Sequence, residues 1–367
     1  MKRSIYLQPT GIFWDRTVPR ALDEAELNAW RGLPLAGGRL SFAALDILTR
    51  DAVETKRRTV VLGDAFSGDW GREGLAASDI LEALSAPRSR LCGLALDRPR
   101  IMGIVNVTPD SFSDGGVHAS TQTAIAHALK LAADGADILD IGGESTRPGS
   151  DAVGLQEELA RVIPVIEGLR AQTGKLISID TRKAEVMRRA AAAGADILND
   201  VSALTHDAGA LAAAAETGLP VILMHTRGDP KTMNDNPQYA DVVLDVFDWL
   251  ELRIKACVSA GIPKAKIVVD PGLGFAKHLK HNVAVMAGLS LYHGLGVPVL
   301  LGASRKKMIG QLCNVDDALG RVPGSLACAI AGAAQGVQIF RVHDVAETKQ
   351  ALEVWRASMA GTEKGLA

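Results

Sequence analysis

The chain has 367 residues, of which 47 % are hydrophobic, and a formal net charge of −2. That length fits two domains, or one large barrel with an attachment, around a substantial core, and the near-neutral charge removes the electrostatic case for a nucleic-acid partner. Cys92, Cys257, Cys313 and Cys328 lack metal spacing and read as thiols of a reduced, cytoplasmic protein, the first residues lack the apolar run of a signal peptide, and no apolar stretch reaches the ~18 residues of a membrane span.

Residues 1–86 carry Phe13, Trp14, Trp30, Phe42 and Trp70, too many large apolar groups for a disordered tail, but no regular period. They read as a small ordered appendage of undefined role, with a linker near 85–89 and a hairpin arm over 90–98. The second unit, 87–362, alternates two kinds of segment. Strands are predicted near 101–107, 137–141, 175–180, 196–200, 219–225, 266–270, 297–302 and 337–342. Helical lengths follow at 120–134, 155–172, 183–193, 207–216, 239–260, 279–288, 321–335 and 344–358. Eight such pairs favour an α/β fold of the (β/α)8 TIM barrel type with an N-terminal appendage. A doubly wound open sheet usually carries a glycine-rich fingerprint after its first strand, and none follows 101–107. The recurring Ala133-Asp-Gly-Ala-Asp-Ile-Leu139 and Ala193-Gly-Ala-Asp-Ile-Leu198 mark equivalent helix-to-strand turns.

Polar residues gather where these strands end. In chain order they are Asn106, Glu144-Ser-Thr-Arg-Pro-Gly149, Asp180-Thr-Arg182, Asn199-Asp200, His225 beside Met224, Asp270-Pro-Gly-Leu-Gly-Phe275, Ser304-Arg-Lys-Lys307 and Arg341-Val-His-Asp344. One such Asp is ordinarily a helix cap. Eight polar ends on one face of a barrel mark an active site. Asp180, Asn199 and Asp270 suit a flat heterocycle rich in N–H donors, with Met224 and Phe275 as an apolar face and Lys306 for a ring carbonyl. Arg147, Arg341, His343 and Asn106 suit a phosphate group, because arginine forks match its oxygens and an Asn beside phosphate can serve Mg2+. No Ser-His-Asp or Cys-His arrangement is visible, and no zinc spacing.

These residues are where a resemblance enters. Asn106-Val-Thr-Pro-Asp-Ser-Phe-Ser-Asp-Gly-Gly116, Glu144-Ser-Thr-Arg-Pro-Gly149, Ile179-Asp-Thr181, Asn199-Asp-Val201, Asp270-Pro-Gly272, Ser304-Arg-Lys306 and Arg341-Val-His343, in this order over about residues 90–360, resemble the dihydropteroate synthase family. The resemblance implies a TIM barrel that joins 6-hydroxymethyl-7,8-dihydropterin diphosphate to 4-aminobenzoate and releases pyrophosphate. It implies that Asp180, Asn199, Asp270 and Lys306 hold the pterin, with Met224, Phe275 and Arg341 around the ring. Asn106 would contact Mg2+ and the diphosphate, which Thr146, Arg147, Arg341 and His343 would also bind. Phe112, Asp114 and Pro148 would close over the aminobenzoate, with Ser304 and Lys307 beside it. A homodimer and sulfonamide recognition are implied as well.

The arylamine is already a nucleophile at neutral pH, so the expected difficulty is loss of pyrophosphate from the pterin methylene, along an SN1-like path with electrostatic help for the leaving charge. Lys307 stands where the family usually has a small hydroxyl residue, at the expected start of a helix. Its ammonium, with the helix N-terminus, would attract the aminobenzoate carboxylate. Ala276 stands where the family usually has Gly, and minimal members lack the N-terminal segment. Two other readings are a pterin-binding paralogue without catalysis and a pterin-dependent methyltransferase. Neither needs the anion-binding set.

Overall fold

The structure, a computed structural model, describes residues 5–14, 32–51, 54–62, 74–107, 116–145, 152–228 and 232–362. The N-terminal appendage is an antiparallel sheet. β1 (Ile5–Trp14) lies along β3 (Leu40–Arg50), whose other edge pairs with β2 (Leu33–Pro34) and β4 (Thr55–Val61). Helix α1 (Gly74–Ser85) covers one face of it, over a core of Ile5, Leu7, Phe42, Leu45, Ile47, Ile80 and Leu84.

The second unit is the expected barrel. Its parallel strands are β5 (Arg100–Asn106), β6 (Ile138–Gly142), β7 (Leu176–Asp180), β8 (Ile197–Asp200), β9 (Val221–Met224), β10 (Ile267–Asp270), β11 (Leu300–Leu301) and β12 (Ile339–Val342). They follow the order β10-β9-β8-β7-β6-β5-β12-β11, and the bridge Val269↔Val299 joins the two ends. Helices intervene at α2 (Gly116–Asp134), α3 (Leu155–Arg170), α4 (Ala184–Ala193), α5 (Ala210–Thr217), α6 (Val242–Ser259), α7 (Leu279–Ala287), α9 (Val322–Ala333) and α10 (Val345–Ala360), with one extra short helix, α8 (Lys307–Cys313). No helix among the described residues is long and apolar enough to cross a membrane.

The repeated turn works the same way twice. Gly135 (φ 115°) and Gly194 (φ 108°) take the left-handed conformation that ends a helix. The following Ala136 and Ala195 are buried. Asp137 and Asp196 then accept the N–H groups of Ile101 and Ile177 at 2.9 and 2.8 Å, tying each turn to a neighbouring strand.

Barrel strands place every second side chain inside. The lowest inward layer is apolar: Met102, Ile138, Ile197, Ile222, Val268, Leu300 and Ile339. Leu91 and Leu96 join this cluster from below. They come from the expected hairpin arm, a tight turn in which Leu91 and Leu94 exchange backbone hydrogen bonds across Cys92 (φ 47°) and Gly93 (φ 82°). The barrel floor is therefore plugged and dry. The stretch expected as a linker is stapled in place, since the Arg88 guanidinium donates to the Ala86 and His293 carbonyls.

The appendage docks on the barrel wall through Tyr6, whose ring meets Phe247 edge-on at 5.5 Å and whose hydroxyl donates to Asp248 at 2.7 Å. Arg50 pairs with Asp245 at 2.8 Å and also with Asp248. Trp14 meets Trp355 edge-on at 5.9 Å. With its side chain only 10 % exposed, Arg50 is the cation for two carboxylates of α6. Breaking a buried pair from one side leaves charge uncompensated, so Arg50→Met should cost about 3 kcal/mol in urea unfolding. A change below about 0.5 kcal/mol would show that the docking rests on the aromatic contacts alone.

Candidate active site

Two residues beyond the apolar floor, five of the inward rows turn polar and one carries Met224. Ile138 is followed by Asp140, Leu176 by Ser178, Ile197 by Asn199, Ile222 by Met224, Val268 by Asp270 and Ile339 by Arg341. Asn106, Gly142, Asp180 and Asn199 stand side by side in register, each paired with the next across β5 to β8. The sequence places its candidates at strand ends, and the barrel turns those ends into one mouth.

Arg341 is the strut of this layer. Its Nε donates to Asp140 at 2.6 Å and its Nη2 to Asp180 at 2.7 Å. Asn199 donates its amide to both Asp140 oxygens, at 3.3 and 3.2 Å. Burial works against the Arg341 charge, but Asp140 and Asp180 outweigh it and hold the guanidinium protonated. Burial also pushes the Asp180 carboxyl up. Arg341 opposes that rise, and Asp140, Asp200 and Glu158 add to it. Two carboxylates thus share one cation, leaving a desolvated site that attracts hydrogen-bond donors. Asp140 escapes the sequence reading because it sits inside the apolar run Ile138-Leu-Asp-Ile141. A charged residue on the inward period of a buried strand was the available signal.

Across the mouth, the loop after β10 forms a rigid platform. Asp270 Oδ1 accepts the Gly272 N–H at 2.7 Å. Gly272 (φ 69°) is obligatory, since a Cβ there would lie 2.1 Å from the His225 carbonyl oxygen. Burial pushes the Asp270 carboxyl up, opposed by that N–H and by the charges of Lys306, Lys277 and Arg341. Phe275 lies under the Lys306 ammonium at 4.3 Å from the ring centre. The underside is held by buried Lys277, whose Nζ reaches His225 Nδ1 at 2.9 Å, the Gly272 carbonyl at 2.9 Å and the Phe275 carbonyl at 3.1 Å. Burial lowers the Lys277 ammonium to about 7. Asn282 secures the loop from outside, accepting the Gly274 N–H at 2.7 Å and donating to the Lys277 carbonyl at 3.2 Å. Sequence reasoning missed Lys277, because a lysine just past a loop reads as a solvated charge.

The remaining candidates divide. Ser304, expected beside the aminobenzoate, has its hydroxyl 3.0 Å from His343 Nδ1. Met224 is buried beside Asp270 in register. Asn106 is exposed at the end of β5. Lys307 is exposed on the first turn of α8 and lines a polar surface pocket with Gln311, Asn314, Asp316 and Arg321. Phe112, Asp114, Thr146, Arg147 and Pro148 lie outside the described residues. The flanks of the 146–151 segment are anchored, however. Glu144 accepts from the Val153 N–H at 3.1 Å, Arg182 at 3.0 Å and Lys183 at 3.0 Å. Burial works against the Glu144 charge, yet Arg182, the Val153 N–H and Lys183 hold its carboxyl below the ordinary range.

Comparison with known proteins agrees with this geometry. The family described as "Pterin binding enzyme" matches residues 102–343. The dihydropteroate synthase of Escherichia coli (strain K12) is 51 % identical over 270 residues, 74 % of this chain and 95 % of the relative. Two solved structures of Xanthomonas albilineans dihydropteroate synthase superpose on it. The one with 4-aminobenzoic acid has a TM-score of 0.70 and 54 % identity, covering 75 % of this chain and 98 % of that one. The one in complex with 7,8-dihydropteroate has a TM-score of 0.68 and 51 % identity, covering 75 % and 99 %.

Ala276 generates a direct test of the platform. Its φ is 50°, a left-handed conformation in which a Cβ is strained and glycine is not. Ala276→Gly should therefore raise stability by about 1 kcal/mol in denaturant unfolding. A less stable variant would show that packing of the buried methyl outweighs the strain.

Proposed function

The chain belongs to the dihydropteroate synthase family of pterin-binding enzymes, which are transferases, and from that premise we propose that it condenses 6-hydroxymethyl-7,8-dihydropterin diphosphate with 4-aminobenzoate to give 7,8-dihydropteroate and pyrophosphate. The observation that carries the substrate reading is the pair of buried acidic groups on opposite sides of the mouth, Asp180 and Asp140 on one side and, three and four strands away, Asp270 on the other. A pterin ring presents N–H donors along its edges, and Asp180, Asn199 and Asp270 supply acceptors for them. Met224 and Phe275 offer apolar faces, and Lys306 a donor for the ring carbonyl. Desolvation makes such bonds selective, because a ligand without the donors leaves the acids unpaired.

The diphosphate belongs beyond the pterin, toward His343, Arg341 and the residues Thr146 and Arg147. The Arg341 fork has used Nε and Nη2 on the acids, and its Nη1 makes no hydrogen bond among the described residues. In this reading that nitrogen serves an incoming anion while the rest of the fork serves the pterin side. Mg2+ fits this chemistry. Asn106 offers one exposed amide oxygen at the strand end, and a hard cation carried by phosphate oxygens needs only one or two protein ligands. When bound, it would neutralise charge on the departing pyrophosphate.

No side-chain nucleophile is required. As the methylene C–O bond breaks, its electron pair leaves with pyrophosphate, and the electron-rich dihydropterin carries the positive charge until the arylamine nitrogen bonds the carbon and loses a proton. The rigid platform fixes the pterin for this SN1-like path, and the loops bearing Phe112, Asp114 and Pro148 would keep water from the cation. The homodimer and the cytoplasmic location implied by the resemblance belong to the same reading. A methyltransferase or a non-catalytic pterin binder has no use for the anion-binding groups.

Pyrophosphate release should require the pterin diphosphate, 4-aminobenzoate and Mg2+ together. Release independent of 4-aminobenzoate, or none at all, would reject the reading. Asp270→Ala should lose on the order of 10⁴-fold in kcat/KM, and calorimetry with a pterin-pocket ligand should show lost affinity. Unchanged affinity in a folded variant would remove Asp270 from the site.

A further inference from the structure

The end of β11 and the end of β12 are locked together by an arrangement that the pterin reading leaves without a role. His343 donates its backbone N–H to Ser304 Oγ at 3.2 Å, and the same Oγ lies 3.0 Å from the ring Nδ1 of His343. Ser304 is 7 % exposed. Its neighbour Arg305 adopts φ 56°, a costly conformation for any residue with a Cβ, and is held there from three directions. The Arg305 N–H donates to Ser325 Oγ at 2.8 Å, its carbonyl accepts from Arg321 at 3.1 Å, and its Nε donates to Asp344 at 3.0 Å. Strain kept in place by so many contacts fixes the position of the hydroxyl.

A hydroxyl has one proton to give. Ser304 Oγ already accepts the His343 backbone N–H. If it also accepted a proton from Nδ1, its own proton would be left without an acceptor in a nearly buried position, which is costly. The satisfied arrangement has Ser304 donating to Nδ1, and a ring nitrogen that accepts carries no proton. In that arrangement the ring proton sits on Nε2.

We propose that Ser304 is a positioning residue that sets the tautomer of His343, presenting Nε2–H as a hydrogen-bond donor to the departing pyrophosphate. The tautomer assignment stands on the Ser304–His343 geometry, and the leaving-group role rests on the diphosphate site proposed above. The backbone bond and the side-chain bond converge on one oxygen, so both the ring orientation and the proton location follow from this single side chain. An opposite tautomer would turn a bare lone pair toward an anion.

The test labels histidine with ¹⁵N in the wild type and in Ser304→Ala and Ser304→Thr, with His343→Gln used to assign the signal. Long-range ¹H–¹⁵N spectra read the tautomer directly. The wild type and Ser304→Thr should show the proton on Nε2. Ser304→Ala should lose that single form, and its kcat should fall about tenfold or more, the scale of one lost hydrogen bond, while affinity for a pterin lacking the diphosphate stays unchanged. Far-UV circular dichroism confirms folding, and Ser304→Thr supplies the positive control. A proton on Nδ1 in the wild type overturns the proposal, as does a Ser304→Ala protein with an intact Nε2–H form and wild-type kcat. If the wild type shows no turnover, the functional reading fails and the spectra still decide what Ser304 does.

Discussion

The site depends on one constraint: the Arg341 guanidinium must stay charged inside a barrel, and it does so by bridging Asp140 and Asp180. An isolated guanidinium there would be prohibitively desolvated, and so would either carboxylate alone. Together with the Asn199 amide they form a hydrogen-bonded unit that orients Asp180 and Asn199 before a ligand arrives. Because two acids share one cation, the unit is electrostatically incomplete. Donors on a ligand complete it, which is the form of preorganisation that catalysis by positioning requires.

A polar layer of this kind needs a dry foundation. The apolar ring from Met102 to Ile339 supplies it, and Leu91 and Leu96 seal it from beneath. The hairpin turn that delivers them is held to the barrel, with the Cys92 thiol 3.4 Å from the Asp196 carbonyl oxygen. Asp196 also accepts the Ile177 N–H, so the turn that starts β8 helps seat both the plug and a strand of the site. The appendage braces a different surface, the wall formed by α6 and the 289–295 turn. Its aromatic contacts are with Phe247 and Trp355, on α6 and α10.

What could be read from the sequence follows from how each strand is buried. All eight barrel strands were legible because short apolar runs stop at polar residues and are spaced by amphipathic helices. β11 shrinks from the expected 297–302 to Leu300–Leu301. Pro298 has no N–H to donate, and the Val299 N–H bonds the Gln338 side chain at 2.8 Å instead of a strand carbonyl. The appendage strands were illegible because β1 is buried on both sides. Tyr6 faces the barrel core while Ile5 and Leu7 face the core under α1, and two buried faces erase the period of two. At the site, strand-end residues were found by position, whereas Asp140 and Lys277 required knowing which way a side chain points.

The backbone makes a further point about how the mouth is built. Among the described residues, seven non-glycine positions have positive φ, and four of them, Ala203, Leu204, Ala276 and Arg305, lie in turns that leave the mouth ends of barrel strands. Each turn is held by polar contacts to its backbone or to the side chains beside it. Asp200 accepts the Ser202 and Leu204 N–H groups at 2.6 and 3.0 Å. Tyr239 donates to the Ala276 carbonyl at 2.8 Å. Arg305 is gripped by Ser325, Arg321 and Asp344. Such strain persists only where surrounding interactions exceed its cost. Its concentration at these turns means that side chains such as Asp270, Phe275, Ser304 and Lys306 are held by rigid backbone rather than recruited by the ligand. The reaction proposed above, with its barrier at loss of a leaving group, would gain from groups held in place in this way, because hydrogen bonds oriented before the charge develops need no reorganisation as it forms.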